Sequence, residues 1–181
     1  MKNKIYFILL FSVLAACAHK ETYKHKDLSK YDSVLIRINK FLVKEDQERI
    51  QSYIKRKGWH MKQAKTGFWY EIYQHGNGAQ AQPGDIATIE YRIELLDGTL
   101  CYTSDSLGPK TFKINYGDIE SGVHQGIVLM HEGDRAHFIF PPYLAHGLLG
   151  DENKIPPRSI IVYDIYLKKI KKPQNNINYG Q

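Results

Sequence analysis

The chain has 181 residues, 43% of them hydrophobic, which suits one globular domain with tails. Its formal charge of +6 comes from 25 basic residues interleaved with 19 acidic ones. No Lys/Arg stripe with stacking aromatics stands out, so a nucleic-acid partner is not expected.

At the N-terminus Lys2 and Lys4 precede an apolar run from Ile5 to Ala16. That run is too short to span a bilayer and has the shape of a secretory signal. It ends in Leu14-Ala15-Ala16-Cys17, which resembles the lipobox of bacterial lipoproteins. The resemblance implies that residues 1–17 are a leader ending at Cys17, which is lipidated and anchors the mature chain to a membrane. Ala18 gives no inner-membrane retention signal of the aspartate type. An extracytoplasmic, lipid-anchored protein is therefore expected, on the outer membrane by preference. With Cys17 carrying lipid, Cys101 has no partner for an intramolecular disulfide.

Residues 18–32 are polar and lysine-rich and read as a tether. His19 and His25 lie in it without further ligands at a useful spacing, so no metal is expected there. The extension over 33–65 opens with an apolar stretch, Val34 to Val43, ambiguous between strand and helix. Residues 46–57 are clearer. Ile50, Tyr53 and Ile54 form an i, i+3, i+4 face, Asp46 stands at the N-terminal end, Lys55 to Lys57 suit the C-terminal end of the dipole, and Gly58 closes it. Intramolecular packing is the favoured use of that face, with a partner-docking surface the alternative.

A domain is expected over 66–170. Phe68, Tyr70 and Ile72 alternate with Trp69, Glu71 and Tyr73, as in a strand. Ile89, Tyr91, Ile93 and Leu95 alternate with Thr88, Glu90, Arg92 and Glu94, as in an antiparallel sheet with one wet side. Asp97-Gly98 is a hairpin signal, since both residues tolerate positive φ. Thr111 to Ile114 reads as a further strand. Val123, Ile127 and Met130 fit one face of a short helix that Gly133-Asp134 ends. Ala136, Phe138 and Phe140 alternate with Arg135, His137 and Ile139 until Pro141-Pro142 stops the ladder. Tyr143 to Pro157 is a long loop rich in breakers, and Ser159 to Lys168 resumes as an apolar strand. The fold class is α+β, a curled antiparallel sheet of about five strands wrapped around one short helix, with an N-terminal helical extension. The tail 171–181 is expected to be disordered.

No G-x-S-x-G, P-loop or H-E-x-x-H motif is present, and Asp151-Glu152-Asn153 lacks calcium-loop spacing. No cofactor or metal is expected. Taken in order, the helix, the G-D-R-A strand, P-P-Y-L-A-H-G, the I-P-P turn and V-Y-D-I-Y-L resemble the FKBP-type peptidyl-prolyl isomerases. The resemblance covers roughly Thr66 to Ile170. The leader, tether and Thr66-Gly67-Phe68-Trp69-Tyr70 entry strand are similar to lipoprotein isomerases of Bacteroidetes-type bacteria, including those associated with gliding motility.

The resemblance implies an apolar pocket that binds X-Pro segments and stabilises the twisted amide. Its partners would be proline-containing clients and, in the motility-associated group, motility or secretion proteins. A holding module without catalysis, or an assembly partner, is the alternative. By resemblance the pocket walls fall on Tyr91, Phe112, Ile119, Ile155 and Tyr163. Several family positions are altered. Val123 stands where a large aromatic forms the floor, and Tyr102 where an aspartate orders the hydrogen bonds, beside Cys101 in place of a phenylalanine. Glu120 stands where an aliphatic is common, and His146 replaces a loop tyrosine whose hydroxyl donates to the substrate. His146 is either such a donor or a solvent-exposed loop residue. As a donor, its change of charge near 6.5 predicts activity that varies between about pH 5.5 and 7.5.

Overall fold

The computed structural model describes residues 29–117 and 119–173. The leader with Cys17, residues 18–28 of the tether with His19 and His25, and the tail from 174 lie outside the described residues. Among the described residues no helix is long and apolar enough to cross a membrane.

The chain divides into two compact units, 1–39 and 40–181. One helix, α1 (Ser29–Lys57), begins in the first and continues in the second. It starts inside the expected tether, seventeen positions ahead of the start expected at 46, and it turns the ambiguous 34–43 stretch helical. No Gly or Pro interrupts 29–57, and Gly58, at φ +67°, ends the run. In the first unit Val34, Leu35, Ile36 and Ile38 are exposed.

The second unit holds a seven-stranded antiparallel sheet rather than about five strands. In chain order these are β1 (Lys62–Gln63), β2 (Trp69–Gln74), β3 (Ile86–Leu95), β4 (Leu100–Thr103), β5 (Lys110–Lys113), β6 (Arg135–Phe140) and β7 (Ile161–Lys171). The spatial order is β1-β2-β6-β7-β3-β4, with β5 also paired to β3. Among the described residues three short helices accompany it: α2 (Ser104–Leu107), α3 (Ser121–Ile127) and a 3-10 turn at Pro142–Leu144. Met130, expected on the face of α3, lies beyond its end but is fully buried.

The alternation in β6 and β7 builds two cores. On the inner face Ala136, Phe138 and Phe140 pack with Tyr163, Ile165 and Leu167, and with Val123 and Ile127 of α3. On the outer face Ile139, Ile160 and Val162 meet Ile50 and Tyr53 of α1, with Trp59 and Trp69 at the margin. The helical face read at 50, 53 and 54 is thus used on its own domain. Gly122 and Gly126 let α3 lie against β6. A Cβ on Gly122 would run into the Phe140 ring and sit 2.8 Å from the Leu144 carbonyl oxygen, and one on Gly126 would sit 2.7 Å from Phe138 Cε1.

The hairpin at Asp97-Gly98 differs from the simple reading. Only Gly98 takes positive φ, +89°, while Leu95 N–H donates to the Thr99 carbonyl. The β3–β4 register shifts between Ile93 and Glu94, so the turn carries a bulge rather than two left-handed residues.

Candidate functional site

The inner face of the sheet opens into a pocket of about 230 Å³, bounded by β3, β4, β7, α2, α3 and the loop after Pro142. Alternation along β3 points Ile89, Tyr91 and Ile93 into it, and Tyr163 enters from the neighbouring β7, paired with Ile93. Tyr102 of β4, Ile119 and Glu120 ahead of α3, Val123 within α3, and His146 of the long loop complete the wall. Leu107 and Lys110 stand at the mouth, both exposed.

Seven residues expected at the site are therefore gathered here: Tyr91, Tyr102, Ile119, Glu120, Val123, His146 and Tyr163. Phe112 and Ile155 are not in the lining. Phe112 turns toward α3 and meets His124 edge-on at 5.6 Å between ring centres. Ile155 is buried in the core, and its N–H donates to Asp151 Oδ1 at 2.7 Å. The sequence reading missed Ile89, Ile93, Leu107 and Lys110. Ile89 and Ile93 share the face of Tyr91, so the period-two pattern already carried them.

The pocket has a polar corner. The Tyr163 hydroxyl donates to Glu120 Oε1 at 2.8 Å, and His146 Nε2 lies 3.0 Å from the same oxygen. The His146 contact is close but off the line of a good N–H hydrogen bond. Burial alone would raise the Glu120 pKa, but His146, the backbone N–H and Tyr163 outweigh it and hold the carboxyl at about 2. The same contact raises His146 above 6.5, so the pH window expected for its titration moves upward. Burial, then Glu120, pushes the Tyr163 hydroxyl well above the usual phenol range. Tyr91 is raised for the same two reasons, and among the described residues its hydroxyl has no bonded acceptor.

A second carboxylate enters from the loop. The Tyr102 hydroxyl makes a short hydrogen bond to Asp151 Oδ2, while Asp151 Oδ1 accepts from the N–H groups of Asn153 and Ile155. Tyr102, expected where an aspartate is usual, is thus paired with a carboxylate 49 residues further along the chain. Beside it Cys101 is a buried free thiol. The long loop is tied to the pocket wall at two points, His146 to Glu120 and Asp151 to Tyr102.

The site is thus a largely apolar cavity edged by phenols, with a residue of the long loop in its wall. The class follows from comparison with known proteins. A profile of the FKBP-type peptidyl-prolyl cis-trans isomerases matches residues 77–168, half of the chain. The chain belongs to that family. It is 31% identical over 153 residues to the probable FKBP-type peptidyl-prolyl cis-trans isomerase FkpA of Neisseria meningitidis serogroup B, covering 83% of this chain and 56% of that protein. It is also 31% identical over 137 residues to the macrophage infectivity potentiator of Trypanosoma cruzi, covering 69% of each. The chain spans about half the length of the FkpA relatives it matches. The crystal structure of FkpA from Escherichia coli superposes with a TM-score of 0.63 at 22% identity, over 92% of this chain and 82% of that one, a likeness of fold.

Proposed function

We propose that the chain is a peptidyl-prolyl cis-trans isomerase that acts on exported proteins. The observation that carries this reading is the pocket itself, apolar over most of its wall and closed by a loop, in a chain of the isomerase family. The barrier to rotation, about 18 to 20 kcal/mol, comes from the partial double bond of the amide. The planar amide owes that bond to charge separation, which water stabilises and a dry cavity does not. As the amide twists, its polarity falls, and an apolar wall then favours the twisted form over the planar one. A ten-thousandfold acceleration needs about 5.5 kcal/mol of such differential binding. In this reading the Tyr91 hydroxyl, part of the pocket lining, holds the substrate carbonyl. The test is exchange between cis and trans forms of a Leu-Pro peptide with the full-length chain. Acceleration over the uncatalysed tens of seconds supports the reading, and its absence with the peptide bound would leave a holding module. The carboxylate in the wall is what favours that second reading.

We further propose that lipid on Cys17 anchors the protein outside the cytoplasm, at the outer membrane, where catalysis without ATP suits the compartment. The lipobox supports it, and palmitate labelling that persists in Cys17→Ala would refute it. The likeness to motility-associated lipoprotein isomerases extends the reading to clients or partners in a gliding or secretion machine. Loss of gliding on deletion, restored by wild type and not by Tyr163→Ala, is the result expected there.

A further inference from the structure

Glu120 is at odds with the rest of its pocket. A prolyl ring needs apolar walls, and a carboxylate withdrawn from water is costly unless donors surround it. The Tyr163 hydroxyl donates to it at 2.8 Å and His146 Nε2 pairs with it at 3.0 Å, both on Oε1. The other oxygen, Oε2, takes neither. The side chain keeps 10% exposure, and Glu120 is part of the pocket lining.

The two partners are not equivalent. Tyr163 is neutral, 3% exposed and fixed in the sheet. His146 is on the loop, a quarter exposed, and supplies the positive charge in contact with the carboxylate. A ligand that brings its own cation can pair with Oε2 directly and does not depend on His146. A neutral ligand must share the cavity with whatever charge the Glu120–His146 pair leaves uncompensated.

We propose that Glu120 is a specificity-determining residue of the pocket: it favours segments that carry an ammonium or guanidinium group on a residue flanking the proline, with His146 as the internal competitor for the same carboxylate. This rests on the isomerase reading and deepens it. The preference grows with pH, because loss of the His146 proton removes the internal counter-charge. Other charged or titratable groups face the corner. The phenols of Tyr91, Tyr102 and Tyr163 are raised away from neutrality, and Asp151 is lowered and stays ionised. His124 of α3 is lowered by burial, hence neutral above 6.5. Lys110 at the mouth disfavours a cationic peptide equally in every variant, so the change of the ratio between variants reports Glu120.

The experiment compares peptides that differ only in lysine against norleucine, its uncharged isostere, placed before or after the proline. With the full-length chain, both kcat/KM and binding affinity are measured at pH 6 and pH 8. The wild type is expected to prefer lysine at one flanking position by about tenfold at pH 8, equal to about 1.4 kcal/mol, and by less at pH 6. Glu120→Gln should bring the ratio near one at both pH values. His146→Phe should keep the preference and remove its pH dependence. A lysine-to-norleucine ratio near one at both positions, or a preference that survives Glu120→Gln, would overturn the assignment. Should no peptide be isomerised by any variant, the isomerase reading fails, and the affinity ratios still decide the role of Glu120.

Discussion

The two faces of β6 and β7 are built from adjacent residues yet do different things. The inner face packs Phe138 and Phe140 against α3 and turns Tyr163 into the pocket wall. The outer face, with Ile139 and Val162, holds α1 and touches no part of that pocket. His137, on the outer face, stacks between Trp59 at 4.0 Å and Tyr73 at 4.3 Å between ring centres. The difference teaches that stability and function are separable along one strand, at a spacing of a single residue.

The largest effect is expected from Phe138→Ala. It removes a fully buried ring at the centre of the inner core and should cost about 3 to 5 kcal/mol, read as a shift in the urea midpoint. Ile50→Ala should cost about 2 to 4 kcal/mol on the outer face, yet leave kcat/KM for a Leu-Pro peptide unchanged while the domain stays folded. If Ile50→Ala lowers kcat/KM in the folded protein, the two faces are not independent.

Gly122→Ala comes next, at about 1 to 3 kcal/mol, because its methyl group meets the Phe140 ring and the Leu144 carbonyl. Its effect should include activity, since α3 carries the wall at Val123. At matched stability, Tyr163→Ala should lose more activity than Tyr166→Ala. Tyr163 is 3% exposed in the pocket wall, whereas Tyr166 turns outward beneath the Arg135 guanidinium, 4.3 Å from its ring centre. Equal losses would break the assignment of faces.

The smallest effect is in the pH dependence of stability. Glu120 is lowered from 4.5, so its contribution is present above about 4.5 and is lost as pH falls toward about 2. His146 is raised from 6.5, so its contribution is present below 6.5 and is lost as pH rises through the raised value. The pair therefore stabilises most between about pH 4.5 and 6.5. The melting-temperature difference between wild type and Glu120→Gln should peak in that window and shrink on both sides.

Much of this was legible in the sequence wherever period and burial agree. Ala136-Phe138-Phe140 and Ile50-Tyr53-Ile54 each found the face that their spacing required. The first half of α1 was not legible, because Val34 to Ile38 form a cluster rather than a stripe, and their exposure in the structure gives no single face to detect. The site was legible where a strand fixes direction, as at Tyr91 and Tyr163. It was not legible where a loop decides, as at Asp151, whose pairing with Tyr102 depends on how fifteen residues fold back. Phe112 and Ile155 have apolar side chains that serve core and pocket equally well, and nothing in their spacing separates the two uses.

The central claim, that the enclosed inner pocket turns proline bonds, is tested most directly by two-dimensional exchange spectroscopy on a Leu-Pro peptide with catalytic amounts of the full-length chain. Wild type should bring cis/trans exchange from tens of seconds to well under a second, and Tyr163→Ala, shown folded by its melting curve, should lose most of that gain. Exchange that stays at the uncatalysed rate with wild type, or is equally fast with Tyr163→Ala, would contradict the account.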